Sequence, residues 1–184
     1  MLDDLRGCFE RAGAFQYGEI DPREVEFTEE VRQYCEKNTC RKYDRTWACP
    51  PAIGTLDECR ERAQRYTNMA VFSGKYEVED SLDFEGMMEG AKDFKKIAAR
   101  VDAEIKPYLH DYLLLSNEGC GACESCTYPD EPCRFPDQVH GSIEGYGIYV
   151  FKLAKQAGIQ YNNGKNTMTY FGALLYNDPE VLSL

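Results

Sequence analysis

The sequence predicts an α/β fold, a single layered domain in which helices cover a sheet of about three to five strands. Two apolar stretches of strand character, residues 69–76 and 111–116, lie on either side of a long segment with helical periodicity. A third stretch, residues 167–176, follows a second helical segment. This order of strand, helix, strand, helix and strand is typical of a sheet with helical layers. The length of 184 residues fits one domain, so we expect residues 1–184 to fold together.

The first helix is predicted to begin at Asp21 and Pro22, an N-cap followed by proline at the first helical position. We expect this helix to end at Cys35. Three apolar residues continue its pattern: Val25, Val31 and Tyr34. Residues 35–54 have no periodic pattern and contain the pair Pro50 and Pro51, so they predict an irregular segment.

Two further helices have clear start or stop signals. One begins at Thr55, which has capping-box spacing to Glu58. The other covers about residues 83–106 and stops at Pro107. Its apolar stripe predicts a helix with one buried face and consists of Met87, Ala91, Phe94, Ala98, Val101 and Ile105.

The last part of the chain predicts a helix over residues 137–157, with Gly158 as its C-cap. The glycines within its first half weaken the helical pattern there; they are Gly141, Gly145 and Gly147. Tyr161 and the stretch 167–176 flank residues 162–164, Asn-Asn-Gly, which predict a turn between two strands.

The composition excludes several classes of protein. The hydrophobic fraction of 43% is enough for a core, and no apolar run has the length of a membrane span. A net charge of −11 argues against binding to nucleic acid, which requires clustered Lys and Arg. The N-terminal residues lack the basic start and apolar stretch of a signal peptide. We therefore expect a cytoplasmic protein that binds neither nucleic acid nor a membrane.

Nine cysteines are the most informative feature of the composition. In secreted proteins such a number predicts disulfides, whereas in the cytoplasm clustered cysteines predict metal binding or catalysis. The odd number and the absence of an export signal favour metal. Eight of the nine lie in two loop-rich regions, residues 35–59 and 120–133, and Cys8 stands alone.

The second group has the stronger pattern. Cys120, Cys123 and Cys126 follow one another at three-residue intervals, and Cys133 can complete a cage of four thiolates. Successive two-residue gaps are typical of the bacterial loop that holds a [4Fe–4S] cluster, although the last gap here is longer. A zinc site usually joins two separate Cys-x2-Cys pairs, so overlapping pairs favour iron–sulfur over zinc. Buried thiols without a metal are a third interpretation.

The first group, Cys35, Cys40, Cys49 and Cys59, is more widely spaced and could hold a second centre. Pro50 directly follows Cys49, as in ferredoxin loops. Cys59 has two interpretations. It lies near the start of a helix, where the dipole favours thiolate, and also on the apolar face of that helix, where a buried thiol is common.

These motifs together resemble those of the domain-of-unknown-function family 2284. The resemblance covers about residues 25–176 and is specific in combination. It is carried by Cys35, Cys40, Tyr43, Trp47-x-Cys49-Pro50-Pro51, Cys59, the stretch 83–85 (Asp-Phe-Glu), Cys120-x2-Cys123-x2-Cys126, the stretch 131–136 (Glu-Pro-Cys-Arg-Phe-Pro) and Ser142-x-Glu144-x-x-Gly147. Ile143 and Asp44 stand where the pattern has Met and Gly, and neither is a ligand type. The resemblance implies metal binding through these cysteines in anaerobic bacteria and archaea, and it implies no particular reaction.

Three functions remain open on the sequence alone. The first is an electron carrier with one or two [4Fe–4S] clusters and a redox partner protein, for which an acidic surface is suited. The second is a cluster-dependent enzyme, in which a cluster with only three protein ligands leaves one iron open to bind a small molecule. The third is a protein in which zinc only holds the loops together. Polar residues that could serve the second function are His140, Ser142, Glu144, Tyr146 and Asn163.

Overall fold

The computed structural model describes residues 2–177, and its side chains from residue 5 onward. Both ends of the predicted domain, Met1 and residues 178–184, lie outside the described residues. One open sheet of five strands and five helices form the described part of the chain, which confirms the α/β prediction. The helices are α1 Leu2–Ala12, α2 Glu29–Glu36, α3 Leu56–Ala63, α4 Phe84–Ile105 and α5 Val150–Gln156. The strands are β1 Gln16–Ile20, β2 Asn68–Glu77, β3 Tyr112–Ser116, β4 Gly141–Ser142 and β5 Thr167–Tyr176.

The strand order is β1-β2-β5-β3-β4, and the sheet is mixed. Strands β2 and β5 form its centre and pair antiparallel along their whole length, from Asn68 opposite Tyr176 to Glu77 opposite Thr167. The short edge strand β4 is parallel to β3, with Leu115 opposite Gly141. The segment that follows β3 therefore begins beside β4, and this edge of the sheet is where the cysteine loops meet.

Helical layers cover both faces of the sheet. Successive side chains of a strand point to opposite faces, so Met69 and Val71 pack on one side of β2 while Ala70 and Phe72 pack on the other. The first side is covered by α3 and α5, and the second by α1 and α4. Burial on both faces explains why the central strands are continuous apolar runs.

Two expected helices are confirmed with their caps. Thr55 and Glu58 form the capping box of α3 through reciprocal contacts of side chain and backbone. Asp83 caps α4, and its carboxylate accepts a hydrogen bond from the amide of Gly86 at 2.8 Å. The expected strands at residues 69–76, 111–116 and 167–176 correspond to β2, β3 and β5.

The helix predicted from Asp21 is wrong in its first half. Asp21 caps only a 3-10 turn at Pro22–Glu24, and α2 begins later, with Thr28 as its N-cap. Between them Val25 has extended backbone, and Phe27 forms a β-bridge with Ile148. Pairing with the distant residue Ile148 therefore interrupts a segment that its local sequence predicts to be one continuous helix.

The helix predicted over residues 137–157 is also wrong over residues 137–149, since only Val150–Gln156 is α-helical. Gly141 belongs to β4, where a Cβ atom would lie 2.8 Å from the ring of Tyr146. Gly147 has a φ of 75°, the left-handed region, and ends a 3-10 turn. Tyr161 lies outside the strands, so the strand expected before that turn is absent from the described residues, whereas the strand after it is β5.

Helix α1 and strand β1 were not predicted. The apolar residues Leu5, Cys8, Phe9 and Ala12 of α1 have helical spacing and are buried against α4. Strand β1 is a short edge strand with a glycine at its centre, so its sequence pattern is weak. Within residues 2–177, no helix combines the length and apolarity that a membrane span requires.

Candidate metal centres

A cavity of about 310 Å³ lies between the end of α2 and the edge of the sheet at β4. Three of the four cysteines of the first group line it: Cys35, Cys40 and Cys49. The other lining residues are Tyr34, Thr39, Tyr43, Pro50, Glu118, Ser142 and Glu144. The cavity therefore combines thiols with carboxyl groups, hydroxyls and aromatic rings.

Tight turns after α2 bring the first two of these cysteines together. Cys35 lies in the last turn of α2, and the chain then reverses through Asn38 and Arg41, both with left-handed φ. The side chain of Asn38 fixes the reversal because it accepts a hydrogen bond from the amide of Tyr43 at 3.1 Å. Cys40 lies within this reversal and is exposed.

Cys49 is the buried member of the group. Its segment is attached to the sheet edge through Ala48, whose carbonyl accepts a hydrogen bond from the amide of Ser142 at 3.1 Å. The sulfur of Cys49 accepts a hydrogen bond from the amide of Gly119 at 3.3 Å and lies 4.0 Å from the hydroxyl of Ser142. Amide donors to sulfur stabilise thiolate and tune the potential of a bound cluster.

Cys59 does not reach the cavity. It is fully buried in the core cluster between α3 and the sheet, and its thiol donates to the carbonyl of Ile53 at 3.5 Å. The guanidinium of Arg32 lies 3.8 Å from its sulfur and is itself occupied with the carbonyls of Gly54 and Gly145. The structure thus brings together three cysteines of the first group and separates the fourth; ligation by Cys59 stays a prediction.

The four cysteines of the second group are all half-buried in one loop that follows β3. Cys126 and Cys133 lie near enough to Cys120 to add to the rise in the pKa of its thiol that burial causes. The loop makes a tight turn at Gly119 and Gly121, which have φ values of 75° and 88°, as their residue type predicts.

Hydrogen bonds close the second loop on itself. The hydroxyl of Thr127 donates to the carbonyl of Pro132 at 3.0 Å, and the amide of Glu131 donates to the carbonyl of Thr127 at 3.0 Å. Arg134 donates to the carbonyl of Ser125 at 3.0 Å. Arg134 therefore braces the loop that carries Cys126 and Cys133.

Aromatic residues join the two cysteine loops. The indole of Trp47 packs edge-on against Tyr128, with ring centroids 4.9 Å apart, and donates to the hydroxyl of Thr127 at 3.3 Å. Tyr128 in turn donates to the carboxylate of Asp44 at 2.8 Å. The loop that carries Cys40 and Cys49 and the loop of residues 120–133 are thus in direct contact.

Lys95 of α4 lies beneath the junction of the two loops. Its ammonium donates to the carbonyls of Asn117 at 2.6 Å and Gly119 at 2.8 Å. Burial lowers its pKa to about 8, while attraction to Glu118, Cys49 and Cys120 acts in the opposite direction. One positive charge therefore faces a cysteine from each group. The sequence analysis did not single out Lys95, because no local signal marks a lysine on the buried side of a helix.

Glu144 is one of the two acids that line the cavity, and Glu118 is the other. Glu144 begins a 3-10 turn after β4, and burial raises its pKa to about 7, with a contribution from Glu118. Burial also raises the pKa of the Cys35 thiol to about 12, with smaller contributions from Glu144 and from Cys49. The cavity therefore disfavours negative charge while no cation occupies it.

Of the other four polar candidates, Ser142 lines the cavity and three lie elsewhere. The hydroxyl of Ser142 accepts a hydrogen bond from the amide of Gly145 at 3.1 Å. Tyr146 is buried and accepts from Arg62 at 2.6 Å, His140 lies beside Asp102, and Asn163 donates to Thr169. Only Ser142 and Glu144 of the five candidates line the cavity.

The thiols fit a metal that prefers sulfur. Across residues 5–177, no three Cys, His, Asp or Glu side chains stand at the spacing of a closed metal site. The eight clustered cysteines form no disulfides, however, and seven lie on two adjoining loops or, for Cys35, in the helical turn that leads into one of them. An amide already donates to the most buried sulfur of the seven, that of Cys49. This donor set suits zinc or an iron–sulfur cluster, and metal binding would draw the side chains together.

The fold and these two loops define a cysteine-rich α/β protein with the donor atoms of a metal-binding protein. Residues 18–176 match the family model DUF2284, described as a predicted metal-binding protein, and the chain belongs to this family. This match confirms the resemblance found in the sequence. No curated protein and no solved structure matches the chain.

Proposed function

We propose that the protein is an iron–sulfur protein with two adjoining centres of different function. The loop of residues 120–133 holds a [4Fe–4S] cluster for electron transfer. The cavity holds a second centre that binds a small molecule and acts on it. One observation carries this proposal: three cysteines, and not four, line a cavity that is large enough to admit a ligand.

The residues of each centre follow from their positions. Cys120, Cys123, Cys126 and Cys133 would provide a complete set of four thiolates. Cys35, Cys40 and Cys49 would provide three, so a cluster held by them keeps one iron open to the cavity. Bound there, the cluster would supply a Lewis-acidic iron and one-electron redox chemistry.

The polar side chains that a molecule in the cavity would meet include Glu144 and Ser142. A carboxyl group with a pKa of about 7 can both give and accept a proton at neutral pH, which suits general acid–base catalysis. The Ser142 hydroxyl can orient a ligand by hydrogen bonding. Tyr34 and Tyr43 provide aromatic walls beside these groups.

The two centres adjoin, which supports electron exchange between them. The amide of Gly119 donates to Cys49 of the cavity, and the next residue along the chain is Cys120. The ammonium of Lys95 is attracted to a cysteine of each group. The groups are therefore close enough for the charge of one centre to alter the electrostatic potential at the other.

Binding of cyanide tests the open position. Protein prepared anaerobically and reduced with dithionite should change its electron paramagnetic resonance spectrum on addition of cyanide, because a cluster iron that has no protein ligand can bind cyanide. Cys49→Ser should abolish the change, and Cys126→Ser, the matched variant in the other loop, should retain it. An identical spectrum with and without cyanide would mean closed centres and an electron carrier. Protein that contains zinc and no sulfide would contradict the iron–sulfur proposal as a whole.

A further inference from the structure

An apolar patch lies at the start of α4. The three most exposed large apolar side chains of residues 5–177 fall within seven positions: Leu82 at 72%, Phe84 at 69% and Met88 at 61%. Phe84 and Met88 are four residues apart on one helix and share a face. Single exposed apolar residues are ordinary, but three large ones within seven positions favour an interaction surface.

An acidic rim surrounds this patch. The stretch of residues 76–91 contains six acidic residues and no Lys or Arg. They are Glu77, Glu79, Asp80, Asp83, Glu85 and Glu89, and all except Asp83 are exposed. A partner of the patch must therefore tolerate or neutralise a concentrated negative charge.

The patch is held in a fixed conformation. Asp83 accepts hydrogen bonds from the amides of Glu79 at 2.9 Å and Gly86 at 2.8 Å, and Asp80 accepts one from the amide of Leu82 at 2.7 Å. These contacts fix the turn that carries Leu82 and Phe84. A preordered surface loses little conformational freedom when a partner binds.

The patch borders the cysteine loops. Met88 precedes Lys95 by seven residues, so the two lie on one face of α4, about 10 Å apart along the axis. Lys95 contacts the carbonyl of Gly119, next to Cys120. A protein seated on the patch would therefore lie beside the loop of residues 120–133.

We propose that this surface docks a partner protein whose own surface has an apolar centre rimmed by lysine and arginine. Charge selects this partner, because a second copy of the chain would place six carboxylates against six, and an anionic membrane would be repelled in the same way. The proposal needs no metal in the protein, so its test is independent of the test of the proposed function.

A basic cytochrome c, whose haem edge is ringed by lysines, is the probe, and calorimetry at low ionic strength measures its binding. We expect saturable one-to-one binding that weakens as salt is added. The variants Glu85→Gln/Glu89→Gln and Leu82→Ser/Phe84→Ser should each raise the Kd about tenfold.

The matched control is Glu29→Gln/Glu30→Gln, which removes the same charge from exposed positions at the start of α2. It should leave the Kd within about twofold of the wild-type value. Equal weakening by both glutamate pairs would mean attraction to bulk charge and would overturn the proposal, as would the absence of binding. Sedimentation completes the test: a wild-type dimer that Leu82→Ser/Phe84→Ser converts to a monomer would assign the patch to a second copy and overturn it too.

Discussion

The sulfur of Cys49 accepts a hydrogen bond from the backbone amide of Gly119 at 3.3 Å, across 70 positions of the chain. Because Cys120 follows Gly119, this contact makes the two cysteine groups neighbours. The sequence separates the groups by a strand, a helix and a second strand. The fold closes this separation by placing the end of β3 against the segment that carries Cys49.

Iron counting on two serine variants tests whether neighbouring groups still form two centres. Cys120→Ser and Cys49→Ser should each retain about half of the iron, since each removes a ligand from one group only. The two remaining centres should differ in their spectra. Complete loss of iron from both variants, with unchanged circular dichroism, would indicate one shared centre.

Cys59→Ser should leave the metal content unchanged and lower the free energy of unfolding by about 1 kcal/mol, because Cys59 lies in the core and not on the cavity. Cys8→Ser is the matched control, since Cys8 is equally buried on the opposite face of the sheet. Both should behave alike in metal analysis and thermal unfolding. Loss of iron from Cys59→Ser alone would make Cys59 a ligand.

Lys95→Gln should make the reduction potentials of both centres more negative, because loss of a nearby positive charge disfavours an added electron. The expected change in the free energy of reduction is on the order of 1 kcal/mol per electron. Lys96→Gln is the control: Lys96 is exposed and paired with Asp93, so solvent screens its charge. A redox titration monitored by electron paramagnetic resonance measures both variants. Unchanged reduction potentials at both centres would contradict an electrostatic role for Lys95.

Asp102 predicts an acid dependence of stability away from the cysteines. Burial raises its pKa, but the nearby His140 imidazole, 3.8 Å away, and the contacts of Lys106 and Tyr112, both at 2.6 Å, more than offset this and hold the pKa well below its usual range. The folded state therefore favours the carboxylate. Its contribution is complete above the unfolded-state pKa of about 4 and is lost as the pH falls below it.

Asp102→Asn should lower the free energy of unfolding at pH 7 by about 2 kcal/mol and flatten its decrease in acid. Urea titrations of both proteins between pH 7 and the acid limit of folding measure this. Asp93→Asn, which changes an exposed carboxylate on the same helix, should have little effect. Parallel pH curves for wild type and Asp102→Asn would contradict the assigned pKa direction.

Capping residues and apolar periodicity correctly predicted the helices and strands whose local preference is the same as their structure in the fold. The capping box of Thr55, the long apolar stripe of α4 and the apolar central strands all appear where the sequence placed them. The failures lie where a long-range contact overrides a local pattern. Phe27 pairs with Ile148 and shortens one predicted helix, and Gly141 pairs with Leu115 and shortens another. Strand pairing between distant residues leaves no periodic trace in either segment.

The same limit applies to the candidate sites. Spacing identified the two cysteine groups, but spacing says nothing about which thiols face a common space. Cys59 fits a ligand pattern and a core pattern equally in sequence, and only the packing of α3 places it in the core. Glu144 was one of five polar candidates in the sequence, and only the fold shows that it shares the cavity with Ser142.

The most direct test of the iron–sulfur account is metal and sulfide analysis of protein produced and purified without oxygen, with iron supplied. The account predicts a brown protein with about eight iron and eight acid-labile sulfide per chain, as two [4Fe–4S] clusters require. Stoichiometric zinc without sulfide, in a colourless protein of unchanged fold, would contradict it.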